Sequence, residues 1–158
     1  MAQSFIARYP EMVKGFVSID STPFGDYYSK SDIWWLKQIE RMCKPFSEKL
    51  LKVSMAKQNA VTEEGRENML EMVSDYEKAE LCRLMGIGYA GFLDDNKELK
   101  ISCPSLILVG GKVKQYNKSW SRRTGIEIIW IPNAAHNSNV DNPEFINNCI
   151  KEFLENLN

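Results

Sequence analysis

Ser105-Leu106-Ile107-Leu108-Val109 is an unbroken apolar run, and Gly110-Gly111 closes it. Runs without alternating polar residues are typical of strands buried on both faces of a parallel sheet. Residues 126–131 read Ile-Glu-Ile-Ile-Trp-Ile and predict a second strand, with a polar helix over about 113–123 between the two. Because a strand, helix, strand order favours a right-handed parallel crossover, the pattern predicts an α/β fold.

The flanking segments extend this sheet. Upstream, a short helix is expected to close at Pro10, and residues 13–19 read as a β-prone run. Downstream, Asn142-Pro143-Glu144 is a strong helix start, with a capping residue, proline in the first turn and an early acid. The helix that follows carries one apolar stripe that predicts packing against the sheet: Phe145, Ile146, Cys149, Ile150, Phe153, Leu154 and Leu157.

Between the strand-bearing segments, residues 31–96 show helical periodicity and no convincing strand. Ser31 or Asp32 is the expected cap of a first helix that runs to Pro45. Thr62-Glu63-Glu64 predicts the start of a later helix. We interpret residues 1–158 as one domain with an all-α insertion at about 26–98.

Composition argues against several classes of protein. The formal net charge of −1 gives no electrostatic case for a nucleic-acid partner. The 4 cysteines form no Cys-x-x-Cys pair, so neither a metal site nor a disulfide framework is expected. No apolar run approaches the roughly 20 residues that span a bilayer, so we expect no membrane partner and a soluble, cytoplasmic protein. The Gly-x-Gly-x-x-Gly at residues 86–91 has no strand before it, so no dinucleotide or other cofactor is expected.

The sequence contains 1 histidine, His136, which directly follows the predicted strand 126–131. Catalytic groups gather at the carboxyl ends of the strands in open parallel sheets. A histidine at that place can shuttle a proton near neutral pH. The alternative is an ordinary histidine in a surface loop.

Taken in order, the motifs resemble the carboxyl-terminal part of the α/β-hydrolase fold family. Residues 132–136, Pro-Asn-Ala-Ala-His, followed by Asp-Asn-Pro-Glu at 141–144, are similar to the turn that carries the family's catalytic histidine. Residues 101–110 resemble its seventh strand, and residues 17–23 its sixth strand and the turn into a helical cap. Residues 2–11, with their Tyr-Pro-Glu exit, resemble the helix after the nucleophile elbow.

This resemblance implies a site that the chain fills in part. His136 would be the triad histidine, and Asp20, at the end of the sixth strand, takes the acid position that some members use. Capping of the local turn is the alternative for Asp20. The loop after the seventh strand, where the acid normally lies, holds no Asp or Glu. The nucleophile motif Gly-x-Ser-x-Gly is absent, and no other serine has its flanking glycines.

The helical insertion offers candidates for a substrate pocket. Trp34, Trp35 and Met42 suit a deformable apolar roof over a small, mostly apolar ester-like substrate in a complete enzyme. The alternative is that they form the core of the helical segment itself.

Two hypotheses remain from the sequence. In the first, the chain is a piece of a serine ester hydrolase and is inactive without the nucleophile elbow. In the second, it is a non-catalytic binding or assembly module, which dimerises through its exposed sheet edge or pairs with a partner that supplies the missing half.

Overall fold

The protein is built on a parallel sheet of three strands. The structure is a computed structural model, and it describes residues 2–21, 28–94, 101–113 and 121–157. The strands are β1 (Phe16–Ile19), β2 (Ser105–Gly110) and β3 (Ile128–Ile131), in the order β1-β2-β3. Val17 pairs with Leu106, and Leu108 pairs with Ile129, both in parallel register. The predicted parallel α/β sheet is confirmed.

The central strand β2 is buried on both faces. Ile107 and Val109 pack with Ile6, Phe16 and Ile128 on one face of the sheet. On the other face, Leu106 and Leu108 pack with Ile131, Ala134 and Ile146. An unbroken apolar run is required here because neither face of β2 meets water.

Helices cover the two faces. The first face holds α1 (Ala2–Arg8), after which Pro10–Met12 form a 3-10 turn. The helix ends at Arg8, before Pro10 as expected, and the fixed φ of Pro10 begins the 3-10 turn. Near the end of the chain lie the short helix α7 (Ser138–Asp141) and the longer α8 (Pro143–Glu155), whose cap is Asn142 as predicted.

The chain between β1 and β2 forms an all-α cap, here the described helices within residues 30–94. Its helices are α2 (Lys30–Lys37), α3 (Ile39–Cys43), α4 (Glu48–Asn59), α5 (Glu63–Met72) and α6 (Lys78–Asp94). The cap has its own core, formed by Cys43, Leu51, Val73, Leu81 and Cys82. The proposed limits at 26 and 98 lie outside the described residues.

Two local predictions were wrong. The first cap helix begins after Ser29, not after Ser31 or Asp32. The Ser29 hydroxyl accepts from the Asp32 N–H, and the Asp32 carboxylate accepts from the Ser29 N–H, which makes a capping box. The single helix expected up to Pro45 is interrupted at Gln38, where α2 ends and α3 begins.

The glycine-rich stretch at 86–91 lies inside α6, so it has the helical context that argues against a dinucleotide fingerprint. No helix within the described ranges is both long and apolar enough to cross a bilayer.

Candidate functional site

His136 lies in a loop at the carboxyl end of β3, where parallel sheets place catalytic groups. The imidazole side chain is exposed, whereas its neighbours Ala134, Ala135, Asn137 and Ser138 are all buried. The buried residues on both sides fix the backbone at His136, so the exposed imidazole starts from a well-defined position.

The loop that carries His136 packs against Gly110, where no larger residue fits. A Cβ added to Gly110 would lie 2.0 Å from the Ala135 carbonyl oxygen and 2.9 Å from that of Ala134. Both neighbours are backbone atoms, which have no flexible end to move away. The Ala134 carbonyl also accepts from the Lys112 N–H at 3.2 Å. Gly110 therefore lets the histidine loop rest directly on the end of β2.

Asp20 joins three parts of the site. It follows β1 with a φ of 50°, in the left-handed region that few non-glycine residues adopt and that aspartate tolerates better than most. One carboxylate oxygen accepts from the Gly110 N–H at 2.7 Å. The other accepts from the Ser138 N–H at 3.3 Å and from the Ser138 hydroxyl. Asp20 thus fastens the ends of β1 and β2 to the chain just after His136.

Burial raises the pKa of the Asp20 carboxyl above 3.8. The hydrogen bonds from Ser138 and Gly110, and the charge of His136, lower this pKa in part. Asp20 and His136 therefore interact electrostatically. No hydrogen bond in the described part of the chain joins the two side chains, and the Asp20 oxygens are held by Gly110 and Ser138. Pairing of Asp20 with His136 stays a prediction.

Asn137, the residue after His136, is hydrogen-bonded to the cap. The Asn137 N–H donates to the Asn59 carbonyl at 2.7 Å. Its side-chain amide donates to the Gly65 carbonyl and to Asn68 Oδ1, both at 3.1 Å. Asn137 is therefore bound to α4 and α5 by both its backbone and its side chain.

Asp141 makes a second connection to the cap. Its carboxylate accepts from the Val61 N–H at 3.0 Å, from the Thr62 N–H at 2.9 Å and from the Thr62 hydroxyl at 2.7 Å. It also accepts from the Ala135 N–H at 3.0 Å. Partial burial acts to raise the pKa of this carboxyl, but the bonds from Thr62, Ala135 and Val61 lower it below 3.8.

Sequence reasoning missed this network. Ser138 was weighed only as a nucleophile, but its hydroxyl donates to Asp20. Asn137 carried no signal, because an amide in a loop is ordinary. Asp141 was noted as part of the helix start, yet its role depends on the cap packing 79–80 residues away along the chain.

The predicted pocket residues are exposed. Trp34, Trp35 and Met42 have exposed fractions of 55%, 53% and 46%. The two indole rings meet edge to face, with centroids 4.7 Å apart. They are therefore not the core of the cap, although Met55 and Met85 do pack against that core. Whether they cover a substrate stays a prediction.

No group of His, Cys, Asp and Glu side chains that could hold a metal ion occurs in the described ranges. The loop after β2, where the acid was sought, is described only to residue 113, and residues 114–120 lie outside the described residues.

No family model matches this sequence, and no curated protein matches it. Solved structures do match. A thermophilic esterase from Thermogutta terrifontis with malate bound is 18% identical, with a TM-score of 0.71, and covers 99% of this chain and 61% of its own. A second structure of a thermophilic esterase is 20% identical, with a TM-score of 0.73, and the corresponding shares are 99% and 62%.

A third match comes from Mycobacterium tuberculosis H37Rv, the putative non-heme bromoperoxidase BpoC. It is 13% identical with a TM-score of 0.66, and the shares are 99% and 63%. The chain spans about three fifths of the length of these structures. The likeness, together with the parallel sheet and the helical cap, shows that the chain has the carboxyl-terminal part of the α/β-hydrolase fold.

Proposed function

We propose that this chain supplies the histidine and the cap of a serine ester hydrolase site, and that it is inactive as it stands. The observation that carries the proposal is the setting of His136. The imidazole is exposed at the carboxyl end of β3, on a buried loop fixed by the sheet on one side and by the cap on the other. A surface histidine without a function does not require a loop that is fixed by contacts on both sides.

In a complete site, His136 acts on the proton of a serine nucleophile. The imidazole accepts the hydroxyl proton as the serine oxygen attacks the ester carbonyl, and it returns that proton to the departing alcohol. Water then attacks the acyl-enzyme in the same way and releases the acid. The 158 residues contain no Gly-x-Ser-x-Gly, so the serine has to come from elsewhere.

The cap suggests the kind of substrate. Trp34 and Trp35 present apolar surface and are exposed, which suits a small, mostly apolar acyl or alcohol group. Asp20 is proposed to support His136 through its charge, because the charge of His136 acts to lower the pKa of the Asp20 carboxyl. The esterase matches favour ester hydrolysis over other reactions of this fold.

The test is hydrolysis of a short-chain p-nitrophenyl ester by the purified chain, beside a His136→Ala variant. We expect both to be indistinguishable from buffer. Turnover that the substitution abolishes would refute inactivity and require a nucleophile in this chain. The same chain treated with a fluorophosphonate probe is expected to stay unlabelled, since the probe reports an activated serine.

A second candidate function, assembly through the sheet edge, is favoured by β1. The N–H groups of Phe16 and Asp20 donate to Pro104 and Leu108 on the β2 side. Because hydrogen-bonding direction alternates along a strand, the N–H groups of Val17 and Ile19 face the other side. Among the described residues no strand pairs there, and such an edge can pair with a second copy to make a homodimer.

Val17→Pro tests this second candidate. Proline removes one outward N–H and leaves the bonds to β2 in place, so it is tolerated on an edge. We expect a dimer of the wild-type chain, measured by light scattering after size exclusion, to become a monomer in Val17→Pro and to persist in Val17→Ala. A wild-type monomer, or a dimer unaffected by proline, would rule out assembly through this edge.

A further inference from the structure

Hydrogen bonds connect the residues on both sides of His136 to the cap. Ala135, just before the histidine, donates its N–H to the Asp141 carboxylate, which also accepts from the cap residues Val61 and Thr62. One carboxylate therefore binds the histidine loop and the turn between α4 and α5 together. Displacing that turn would pull directly on the backbone next to His136.

Asn137, just after the histidine, repeats the arrangement with a different set of contacts. It is buried, and the three hydrogen bonds that it donates reach the cap, at Asn59, Gly65 and Asn68. Its carbonyl accepts from Val140 and Asp141 in α7. Buried amide groups that lose their partners cost about 1–3 kcal/mol each, so these bonds are not easily exchanged for others. The sheet holds the loop at Ser138, one residue further along.

We infer that Asn137 and Asp141 are positioning residues for His136, so that the place of the imidazole is set by α4 and α5 of the cap. A misplacement of about 1 Å can cost about 100-fold in rate, and hydrogen bonds at both neighbours of the imidazole restrict its displacement. A shift of the cap is thereby passed to the histidine over a short path of hydrogen bonds. The catalytic meaning of this inference rests on the proposed function, but the coupling itself does not.

A purely structural role for these bonds predicts something different. If they only attach the cap, weakening them lowers the stability of the protein and leaves the surroundings of the imidazole unchanged in the folded state. A positioning role changes those surroundings even where the protein stays folded. The two roles are therefore separated by a spectroscopic signal from the imidazole.

The chain offers such a signal because His136 is its 1 histidine, so the imidazole gives a single set of cross-peaks in a proton–carbon correlation spectrum. The first variant is Asn68→Ala, on α5, which removes the acceptor of one Asn137 bond and places a good helix former there. Its matched control is Glu67→Ala, the exposed neighbour on the same helix. We expect the imidazole cross-peaks to move or split in Asn68→Ala and to stay in place in Glu67→Ala.

The second variant is Asp141→Asn, with the exposed Asp75→Asn as its control. Asparagine has one acceptor oxygen, so it cannot serve both the cap and Ala135, while the shape of the side chain is kept. Imidazole cross-peaks that coincide with wild type in both variants, with circular dichroism showing folded chains, would overturn the inference. If Asp141→Asn does not fold, Asn68→Ala decides alone. Loss of the proposed hydrolase role would leave this result standing, since no turnover is measured.

Discussion

Single residues in the site are fixed by contacts that no local pattern reveals. Neither expected role of Asp20, pairing with His136 or capping its own turn, includes the bonds that it makes to Gly110 and Ser138, 90 and 118 residues away in sequence. Local propensity describes neighbours along the chain, so it could identify Asp20 as polar and strand-ending but not find these partners. Ser29 is a different case, since Ser-x-x-Asp was readable as a capping box and was overlooked.

Gly110 gives the sharpest prediction at this scale. In Gly110→Ala the added methyl meets the backbone of Ala135, and we expect a loss of about 1–3 kcal/mol in the free energy of unfolding, measured by urea denaturation. Gly88→Ala is the matched control, because nothing lies within 4 Å of its added Cβ. That control should gain roughly 0.5–1 kcal/mol from helix propensity. Equal stability of both variants and wild type would show that the histidine loop does not rest on Gly110.

The elements themselves were predicted well where one physical signal dominates. The apolar run of β2 is confirmed, and so is the stripe of α8 except at Leu154, which is exposed. A strand buried on both faces has a continuous apolar run, whereas a helix buried on one face has apolar residues three and four apart. The ends were predicted less well. Residues 13–15 and 126–127 lie outside β1 and β3, although Val13 and Ile126 are β-prone. The break at Gln38 carries no proline or glycine, so nothing in the sequence marks it.

The packing of α8 on the sheet is testable at Ile146, which is buried against Leu106 and Leu108. Ile146→Val removes one methylene from this contact, and we expect a loss of about 0.5–1.5 kcal/mol in the free energy of unfolding. Asn147→Ala, at the exposed neighbouring position, should change it by less than about 0.5 kcal/mol. A loss in the control as large as in Ile146→Val would contradict the assigned face of the helix.

At the scale of the whole molecule, the sequence predicted the parts and their order but not how cap and sheet meet. The parallel order, the inserted cap and the place of His136 follow from strand and helix periods and from the rules of crossovers. The contact of Asp141 and Asn137 with α4 and α5 does not, because it depends on the three-dimensional path of the cap. The resemblance named the fold, and the structure matches confirm it.

The dependence of stability on pH tests this cap contact. The pKa of Asp141 is lowered in the folded state, so its stabilising effect is present above about 3.8 and is lost as pH falls. The pKa of Asp20 is raised, so its contribution has the opposite sign and favours the folded state as pH falls.

Thermal unfolding from pH 7 to pH 3 should separate the two carboxyls. We expect Asp141→Asn to lose less stability than wild type over this range, and Asp20→Asn to lose more. Asp75→Asn serves as the control and should follow the wild-type curve. Parallel curves for all four proteins would show that neither carboxyl has a pKa displaced by folding.

The sequence separation of the hydrogen bonds around His136 also indicates at which stage of folding its side chain becomes ordered. They join residues 72, 79, 80 and 118 positions apart, whereas the helices of the cap close over a few residues each. Closing long loops costs entropy before any contact repays it, so local elements form early and distant contacts form late. We therefore expect the cap helices to exist before the histidine loop acquires its final shape. The imidazole would be among the last groups to be ordered, and a newly made chain would have its helices before it has its site.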